Sequence, residues 1–335
     1  MTTAPLRISL LGLGRAGGFH LASIRALPNA VLVQVHDSDA ERARRVAEEH
    51  GARVASGADE ATGATDVDAV VVATPTASHF AYVEAALAAG KPVLSEKPLG
   101  TSLEQIDRCF ALSAAREVPL LVAFQRRFDP SFSAVAEAVR AGTLGPLQFI
   151  RSVSRDSPVP SIEYLRTSRG IFHDCVVHDF DLVCHVAGAA PDQVFAYGAS
   201  LVPEIGALDD LDNVVVALRF PNGLLASIDV SRQGPHGYDQ RLEVCGTHGL
   251  LEAENRPQNT VVFSGAEGST RAPIDYSFPT RYFDAYRAEF ACFLRCVRGE
   301  AHVPISHRDV RLNHRIADAA ERSAREGRPI DLLGE

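Results

Sequence analysis

Short apolar segments alternate with segments of helical periodicity through the first third of the chain. Continuous or alternating apolar residues indicate strands, whereas a spacing of three to four residues indicates helices. The predicted strands are Arg7–Leu11, Val31–Val35, Ala69–Ala73, Pro92–Ser95 and Leu120–Phe124. The predicted helices are Gly18–Leu27, Asp39–Glu49, His79–Ala89 and a segment ending near Arg116. Apolar strands that alternate with helices are typical of a parallel, doubly wound sheet.

The remainder of the chain has a different pattern. After a strand at Leu147–Ser154, the β-like segments follow one another too closely for crossover helices, which predicts a mostly antiparallel, open sheet. These segments are Gln193–Ser200, Asn213–Arg219, Leu224–Val230, Arg241–Cys245 and Thr260–Phe263. Helices are predicted at Ser131–Arg140, about Ile171–Val186, Asp284–Arg298 and Arg308–Glu326.

The composition is that of a globular protein, and its charge argues against some partners. The 335 residues are 46% hydrophobic and 22% charged, with a formal net charge of −9. Nucleic acids and anionic membranes favour basic surfaces, so we expect neither as a partner. No apolar segment approaches the ~18 residues of a membrane span, and we find no signal-peptide pattern at the N-terminus. The six cysteines form no C-x-x-C pair, which indicates reduced thiols in a cytoplasmic protein.

A glycine motif follows the first predicted strand and opens the first predicted helix. The residues Gly12-Leu13-Gly14-Arg15-Ala16-Gly17 fit the pattern G-x-G-x-x-G. In a βαβ unit the first glycine permits a tight turn, the second lets the backbone approach a pyrophosphate, and the third allows close packing of the helix. The helix N-terminus then offers N–H groups to the phosphates. We therefore expect a dinucleotide-binding Rossmann domain, although an ordinary glycine-rich turn is the alternative.

Asp37 lies just after the second predicted strand, 20 residues beyond Gly17. An acidic residue at this place accepts hydrogen bonds from the adenosine ribose and repels a 2′-phosphate, so NAD is favoured over NADP. Arg42 and Arg44 follow and would weaken that preference. The alternative is a loop carboxylate without a ligand.

The chain is long enough for two domains. We predict an α/β protein with an N-terminal Rossmann domain at residues 1–124 and a C-terminal α+β domain at residues 125–335, to which the family resemblance described below assigns substrate binding and oligomerisation. The boundary is placed near Phe124–Pro130.

Gly170–Leu182 carries Asp174 and His178 four residues apart in a segment with helical periodicity. Residues at i and i+4 share one face of a helix, so the pair could form an oriented general base, half of a metal site, or a polar helix face. A metal site would add Asp181 or His185. At a rise of about 1.5 Å per residue, the side chains from Asp174 to His185 span about 16 Å, so we expect no metal.

Other residues carry a family resemblance. Glu96-Lys97-Pro98, with Ala73-Thr74-Pro75-Thr76-x-x-His79 and the glycine motif, closely resembles the Gfo/Idh/MocA oxidoreductases. The similarity to their inositol 2-dehydrogenase branch rests on Gln125–Pro130, Ser154–Asp156, Ile162–Tyr164, Gly170–Leu182 and Gly237–Arg241. Three residues depart from the pattern: Gln125 stands where the family usually has Asn, Arg169 where the branch usually has glycine, and His185 at a position that is commonly aromatic or aliphatic.

The resemblance implies roles for particular residues. It implies a catalytic triad of Lys97, Asp174 and His178. The implied cofactor-binding residues are Gly12, Leu13, Gly14, Arg15, Ala16, Asp37, Thr74, Pro75, His79, Glu96 and Lys97. The implied substrate-binding residues are Lys97, Arg127, Asp156, Asp174, His178, Asp179 and Tyr238. For His79, and for the four substrate residues outside the triad, a purely structural role is the alternative.

The function that follows is NAD-dependent oxidation of a secondary hydroxyl of a cyclic polyol, with myo-inositol and its 2-keto product as the leading expectation. His178 would take the hydroxyl proton as hydride leaves, Asp174 would fix the imidazole, and Lys97 would hydrogen-bond the reacting oxygen. The alternatives are another sugar or sugar-acid dehydrogenase of the same family, and a non-catalytic regulator that senses NAD or a sugar.

Three further expectations concern surfaces and packing. Family members commonly bury the open face of the antiparallel sheet against another subunit, so the resemblance implies a homo-oligomer, either a dimer or a tetramer. The acidic run Asp209-Asp210-Leu211-Asp212 is interpreted as a solvated loop. Cys292 and Cys296 are interpreted as core or interface residues.

Overall fold

The computed structural model describes residues 4–332, so the ends of the predicted domains, residues 1–3 and 333–335, lie outside it. The described residues divide into two compact units, 4–128 with 283–311, and 129–282 with 312–332. The first division lies close to the predicted boundary, but residues 283–311 cluster with the first unit. The reason is apolar packing, because Phe290, Phe293 and Leu294 belong to the same hydrophobic core as the strands of the first unit.

The first unit contains a six-stranded parallel sheet, which confirms the predicted doubly wound fold. Its strands lie in the order β3-β2-β1-β4-β5-β6, the order of dinucleotide-binding folds. They are β1 (Leu6–Leu11), β2 (Ala30–His36), β3 (Arg53–Val54), β4 (Ala69–Val72), β5 (Val93–Glu96) and β6 (Leu120–Ala123). The helices that connect them are α1 (Arg15–Ala26), α2 (Ala40–His50), α3 (Ala58–Gly63), α4 (Thr76–Ala88) and α5 (Leu103–Arg116). A short 3-10 helix, Gln125–Phe128, ends this part of the chain.

The second unit contains a seven-stranded sheet in the order β12-β11-β7-β10-β9-β8-β15. Its strands are β7 (Leu147–Arg155), β8 (Gln193–Ala199), β9 (Asn213–Arg219), β10 (Leu225–Ser231), β11 (Asp239–Gly246), β12 (Gly249–Ala253) and β15 (Ile330–Asp331), and a separate hairpin is formed by β13 (Val262–Gly265) and β14 (Gly268–Arg271). Among the described residues of this sheet, only β7 and β10 pair in parallel, so the mostly antiparallel prediction is confirmed. Buried and exposed residues alternate along β9, which leaves one face of the sheet open.

The parallel pair brings two chain segments together at one edge of this sheet. The N–H of Asp156, just after β7, donates to the carbonyl of Ser231, the last residue of β10, at 2.9 Å. Asp156 and Arg232 therefore leave adjacent carboxyl ends of parallel strands, a common place for functional side chains.

The helices of the second unit are α6 (Pro130–Arg140), α7 (Ile162–Leu165), α8 (Gly170–Asp174), α9 (Val177–Ala187), α10 (Pro203–Gly206) and α11 (Phe278–Arg281). Two long helices follow, α12 (Phe283–Val297) in the first unit and α13 (His307–Glu326), which begins in the first unit and continues in the second. Within the described residues, no helix is both long and apolar enough to span a membrane.

The single helix predicted over about Ile171–Val186 is wrong, because the structure divides it into α8 and α9. The N–H of Val176 donates to the carbonyl of Ile171, five residues back, at 3.0 Å, and the N–H of His178 donates to Cys175, three residues back, at 3.3 Å. A wide turn followed by a tight turn interrupts the regular ladder, and such interruptions are frequent at functional sites. Asp174 therefore ends one helix, and His178 stands in the first turn of the next.

Candidate active site

The glycine loop after β1 has the geometry that its sequence predicts. Gly12 has a φ of +85°, and a Cβ there would lie 2.4 Å from the Ala73 carbonyl oxygen. A Cβ on Gly17 would lie 2.0 Å from the Gly12 carbonyl oxygen. Side chains at these two positions would clash with backbone, so the turn requires glycine at both.

The N-terminus of α1 fits a dinucleotide pyrophosphate. Gly14 is the N-cap residue, and no side chain among the described residues caps the helix by a hydrogen bond. A Cβ built on Gly14 would meet no described atom within 4 Å, so the backbone here leaves space for a ligand. The first turn, which begins at Arg15 and Ala16, carries no acidic residue. The amide groups and the positive end of the helix dipole therefore face open space that suits phosphate oxygens.

Asp37 follows β2 and is fixed by backbone donors. Its Oδ2 accepts from the N–H of Leu13 at 2.7 Å, and its Oδ1 accepts from the N–H of Asp39 at 2.8 Å. Arg42 Nη1 lies 3.5 Å from Oδ1. Each carboxylate oxygen has a second lone pair, so Asp37 keeps acceptor capacity for ribose hydroxyls beside the glycine loop.

Glu96 ends β5 immediately before Lys97, and the Lys97–Pro98 peptide is cis. Glu96 Oε1 lies 2.9 Å from Nε2 of the fully buried His20 on α1. Burial by itself would raise the pKa of Glu96, but the hydrogen bond and charge of His20, together with Lys97 and His79, lower the pKa below its ordinary value. A buried carboxylate thus stands next to the predicted catalytic lysine.

His79 connects the segments that follow β4 and β5. Its Nε2 lies 2.6 Å from the Thr74 carbonyl oxygen, and its Nδ1 lies 2.8 Å from the Pro98 carbonyl oxygen. Burial, the largest influence, lowers the pKa of His79 although both carbonyls and Glu96 favour the charged ring. These contacts support the structural alternative, in which His79 holds the Thr74-Pro75 segment near the segment after Lys97.

The Asp174 carboxylate is held on both oxygens within the second unit. Oδ1 accepts from the Tyr164 hydroxyl at 2.5 Å, and Oδ2 accepts from Arg232 Nη1 at 3.1 Å. Burial of the hydroxyl and the negative charge of Asp174 raise the pKa of Tyr164 well above its ordinary value. Tyr164 is therefore a hydrogen-bond donor at every pH of interest, and its partner Asp174 is positioned as an anionic acceptor.

Arg232 and Asp210 were not predicted as site residues. Arg232 is fully buried, and its Nη2 lies 3.3 Å from Asp210 Oδ2. The solvated-loop interpretation of the acidic run is wrong for Asp210 and Asp212, which are 9% and 0% exposed. Asp210 Oδ1 accepts from the N–H of Ile171 at 2.9 Å, and Asp212 Oδ2 accepts from the N–H of Val202 at 2.5 Å. The sequence signal was a group of carboxylates just before β9, but nothing in the sequence places Arg232 beside them.

Asp156 lies next to the α8–α9 interruption. Cys175 Sγ donates to Asp156 Oδ2 at 3.6 Å. Burial, and then the negative charge of Asp156, raise the pKa of Cys175 well above its ordinary value, so the group is a neutral thiol. The structure thus brings the predicted residues Asp156 and Asp174 into the neighbourhood of Cys175.

Asp179 occupies the interior between helix and sheet. It is fully buried, and its Oδ1 accepts from the hydroxyls of Ser152 at 2.6 Å and Ser154 at 2.8 Å. Both serines lie on β7. This arrangement supports the structural alternative for Asp179.

Tyr238 and Arg127 have contacts in different units. Tyr238 is 6% exposed and packs against Phe278 and Tyr282, with ring centroids 6.3 and 5.9 Å away.

Arg127 Nη1 lies 3.3 Å from the Pro304 carbonyl oxygen and 3.5 Å from Asp309 Oδ2, all in the first unit. The salt bridge between Arg127 and Asp309 supports the structural alternative for Arg127.

Among the described residues, no group of three or more His, Cys, Asp or Glu side chains is arranged to hold a metal ion.

Two family models match the chain, one on each side of the division near Phe128. Residues 6–124 match a model described as an oxidoreductase family with an NAD-binding Rossmann fold. Residues 132–252 match a model described as a GFO/IDH/MocA C-terminal domain.

Individual relatives are similar over nearly their whole length. An inositol 2-dehydrogenase of Rhizobium meliloti is 36% identical over 98% of this chain and 99% of its own. The crystal structure of a myo-inositol dehydrogenase from Corynebacterium glutamicum superposes with a TM-score of 0.92 at 36% identity, covering 99% of this chain and 100% of that chain. A scyllo-inositol dehydrogenase from Lactobacillus casei, solved with NAD(H) and scyllo-inositol bound, gives a TM-score of 0.92 at 27% identity, covering 98% of this chain and 100% of that chain.

Proposed function

Because this chain belongs to the Gfo/Idh/MocA oxidoreductase family, we propose that it catalyses NAD-dependent oxidation of a secondary hydroxyl of an inositol. Our leading reaction is myo-inositol to its 2-keto derivative. The observation that carries the proposal is the Asp174 carboxylate, fixed on both oxygens just before His178, in a chain that also has the glycine loop and Asp37. Inositol dehydrogenases of similar sequence over nearly full length support the choice of substrate.

In this proposal His178 is the general base. NAD, when bound at the glycine loop, supplies the acceptor for the hydride. His178 takes the proton of the reacting hydroxyl, and Asp174 stabilises the imidazolium that forms. Tyr164 and Arg232 hold the Asp174 carboxylate as an acceptor, so it does not have to reorganise during the reaction.

Lys97 is proposed to donate to the reacting oxygen. Its ammonium group favours the negative charge that develops on that oxygen as the proton leaves. Glu96, the residue before Lys97, is a buried carboxylate whose pKa is lowered in part by the charge of Lys97.

Two more residues are proposed to contact the other hydroxyls of the ring. Asp156 is half-buried at the carboxyl end of β7, where a carboxylate accepts from a vicinal diol. Tyr238 lies just before β11, with its ring packed against Tyr282. For Arg127 and Asp179, whose contacts are given above, we propose positioning rather than direct contact.

The enzyme is further proposed to be a cytoplasmic homo-oligomer. The open face of the second sheet exposes Tyr197, Val215 and Leu225, which are 66%, 54% and 48% exposed. A row of exposed apolar side chains on a sheet suits burial against another subunit. In the described residues all six cysteines are free thiols, which suits a reducing compartment.

A substrate panel tests the proposed function. NADH formation is measured with inositol stereoisomers, common aldoses and sugar acids, with NAD binding followed separately. We expect turnover with at least one inositol and little with the aldoses. Turnover confined to a sugar or sugar acid would overturn the inositol assignment, and tight NAD binding without turnover of any compound would overturn the enzymatic one.

A further inference from the structure

Arg232 is the largest fully buried side chain of the second unit. It follows the last residue of β10, and its backbone N–H donates to the carbonyl of Asp212 at 2.8 Å. Burying a guanidinium reduces the stability of the fold unless carboxylates balance its charge and acceptors bind its N–H groups.

Each of the two terminal nitrogens of the guanidinium donates to a different carboxylate. Nη1 donates to Asp174 at 3.1 Å, and Nη2 donates to Asp210 at 3.3 Å. Burial alone would lower the pKa of Arg232, but the charges of Asp174 and Asp210 act against burial, and the pKa is raised. Arg232 is therefore a permanent cation between two carboxylates.

The same network holds α8 at both ends. Asp210 Oδ1 accepts from the N–H of Ile171 in the first turn, and Arg232 holds the side chain of Asp174, the last residue. Gly170 also lies close, since a Cβ there would be 3.2 Å from Asp210 Oδ1. A helix of five residues has little stability of its own, so its placement depends on such anchors.

We infer that Arg232 is a positioning residue, which keeps the Asp174 carboxylate ionised and oriented for the proposed base His178. The inference rests on the proposed function, in which Asp174 stabilises the imidazolium. Arg232 occupies Oδ2, and Tyr164 occupies Oδ1, so the plane of the carboxylate is set by two donors. Asp210 sets the position of Arg232 in turn, which gives this buried residue of the acidic run a function at the site.

The kinetic test is a double-mutant cycle of Arg232→Gln and Asp174→Asn. A residue that acts through Asp174 loses its effect once that carboxylate is gone. We expect Arg232→Gln to lower kcat about 100-fold, as a misplaced catalytic group does, with the KM for NAD nearly unchanged. The same change in the Asp174→Asn background should cost less than about threefold. Arg232→Lys keeps the positive charge but not the two separate donor nitrogens. Its kcat should be about tenfold higher than that of Arg232→Gln.

A second measurement does not require turnover. The Asp174 carboxyl is titrated by carbon-13 NMR, assigned by its disappearance in Asp174→Asn. Loss of the adjacent cation should raise the pKa of Asp174 by at least about one unit in Arg232→Gln, and Arg232→Lys should restore it. The matched control is Arg325→Gln, which removes an exposed arginine paired with Glu321 and should change neither measurement.

The outcomes separate this inference from the proposed function. An unchanged titration of Asp174, or a full loss of kcat from Arg232→Gln in the Asp174→Asn background, would overturn it. If Arg232→Gln does not fold, Arg232→Lys carries the same cycle, since one ammonium cannot reproduce both bonds. If the wild-type protein does not oxidise any inositol, the proposed function is wrong. The titration would still show whether Arg232 lowers the pKa of Asp174.

Discussion

The Tyr164 hydroxyl lies 2.5 Å from Oδ1 of Asp174, on the carboxylate oxygen that Arg232 leaves open. A hydrogen bond to a charged group contributes about 1.5–3 kcal/mol, and about 1.4 kcal/mol corresponds to tenfold in rate. We expect Tyr164→Phe to lower kcat for inositol oxidation at least about tenfold, as measured by NADH formation at saturating NAD. The substitution keeps the ring, so the loss of stability should not exceed that of the one hydrogen bond, about 1.5–3 kcal/mol.

Tyr276→Phe is the matched control, because this tyrosine is 61% exposed. It should retain the wild-type rate. Equal rates for Tyr164→Phe and Tyr276→Phe would show that the Tyr164–Asp174 hydrogen bond does not contribute to turnover.

The choice between NAD and NADP should depend on Asp37. In Asp37→Ser the carboxylate that would repel a 2′-phosphate is removed, and Arg42, now 3.5 Å from that carboxylate, becomes available to the phosphate. We expect the ratio of kcat/KM for NAD over NADP to fall at least about tenfold. Asp59→Ser, at an exposed position on α3, is the control and should leave the ratio unchanged. A ratio that stays at the wild-type value in Asp37→Ser would contradict the assignment.

Asp239 should make the stability of the second unit depend on pH. Burial alone would raise the pKa of Asp239, but hydrogen bonds from Arg241, His236 and Asn255 lower it. A lowered pKa means that the carboxylate stabilises the fold at pH values above its unfolded pKa of about 3.9, and that this contribution is lost as the pH falls through the folded value.

We therefore expect Asp239→Asn to reduce the free energy of unfolding by about 2 kcal/mol at pH 7, with the difference from wild type shrinking below about pH 4. Denaturant titrations at several pH values measure this. The exposed Asp209, changed to Asn, serves as control. A difference that is constant from pH 7 to pH 3 would rule out the ionised carboxylate as its source.

The open face of the second sheet should carry the subunit contact. A charge placed at Val215 would be buried in such a contact, so Val215→Asp should shift the protein toward monomers in size-exclusion chromatography with light scattering. Leu201→Asp, at a position that is 75% exposed outside the strands, should leave the mass unchanged. A wild-type monomer, or an unchanged mass for Val215→Asp, would contradict the proposal.

The two sheets were predictable because each has a simple pattern. Continuous apolar strands such as Ala69–Val72 indicated the parallel sheet, and the short spacing between β-like segments such as Asn213–Arg219 and Leu224–Val230 indicated the mostly antiparallel one; both expectations are confirmed. The family resemblance is confirmed as well, by matches on both sides of Phe128. The glycine loop was predictable because its turn requires glycine for steric reasons that act within a few residues.

The surroundings of Asp174 could not be predicted, because they depend on long-range contacts. Arg232 is 58 residues from Asp174 in the chain, and no local pattern signals their pairing. The interruption after Asp174 was also missed, since its residues keep helical periodicity while Val176 bonds to Ile171 instead of Phe172. The burial of Asp210 was missed because a run of carboxylates normally indicates solvent, and its partners lie on distant segments.

The most direct test of the central claim is inositol oxidation by His178→Ala, with NAD binding measured on the same sample. The matched control is His185→Ala, on the same helix. Loss of a general base typically costs about 100- to 10,000-fold. We predict that His178→Ala binds NAD like the wild type, that its kcat falls at least about 100-fold, and that His185→Ala remains near the wild-type rate. A kcat for His178→Ala within about threefold of the wild type, with NAD bound normally, would contradict the account.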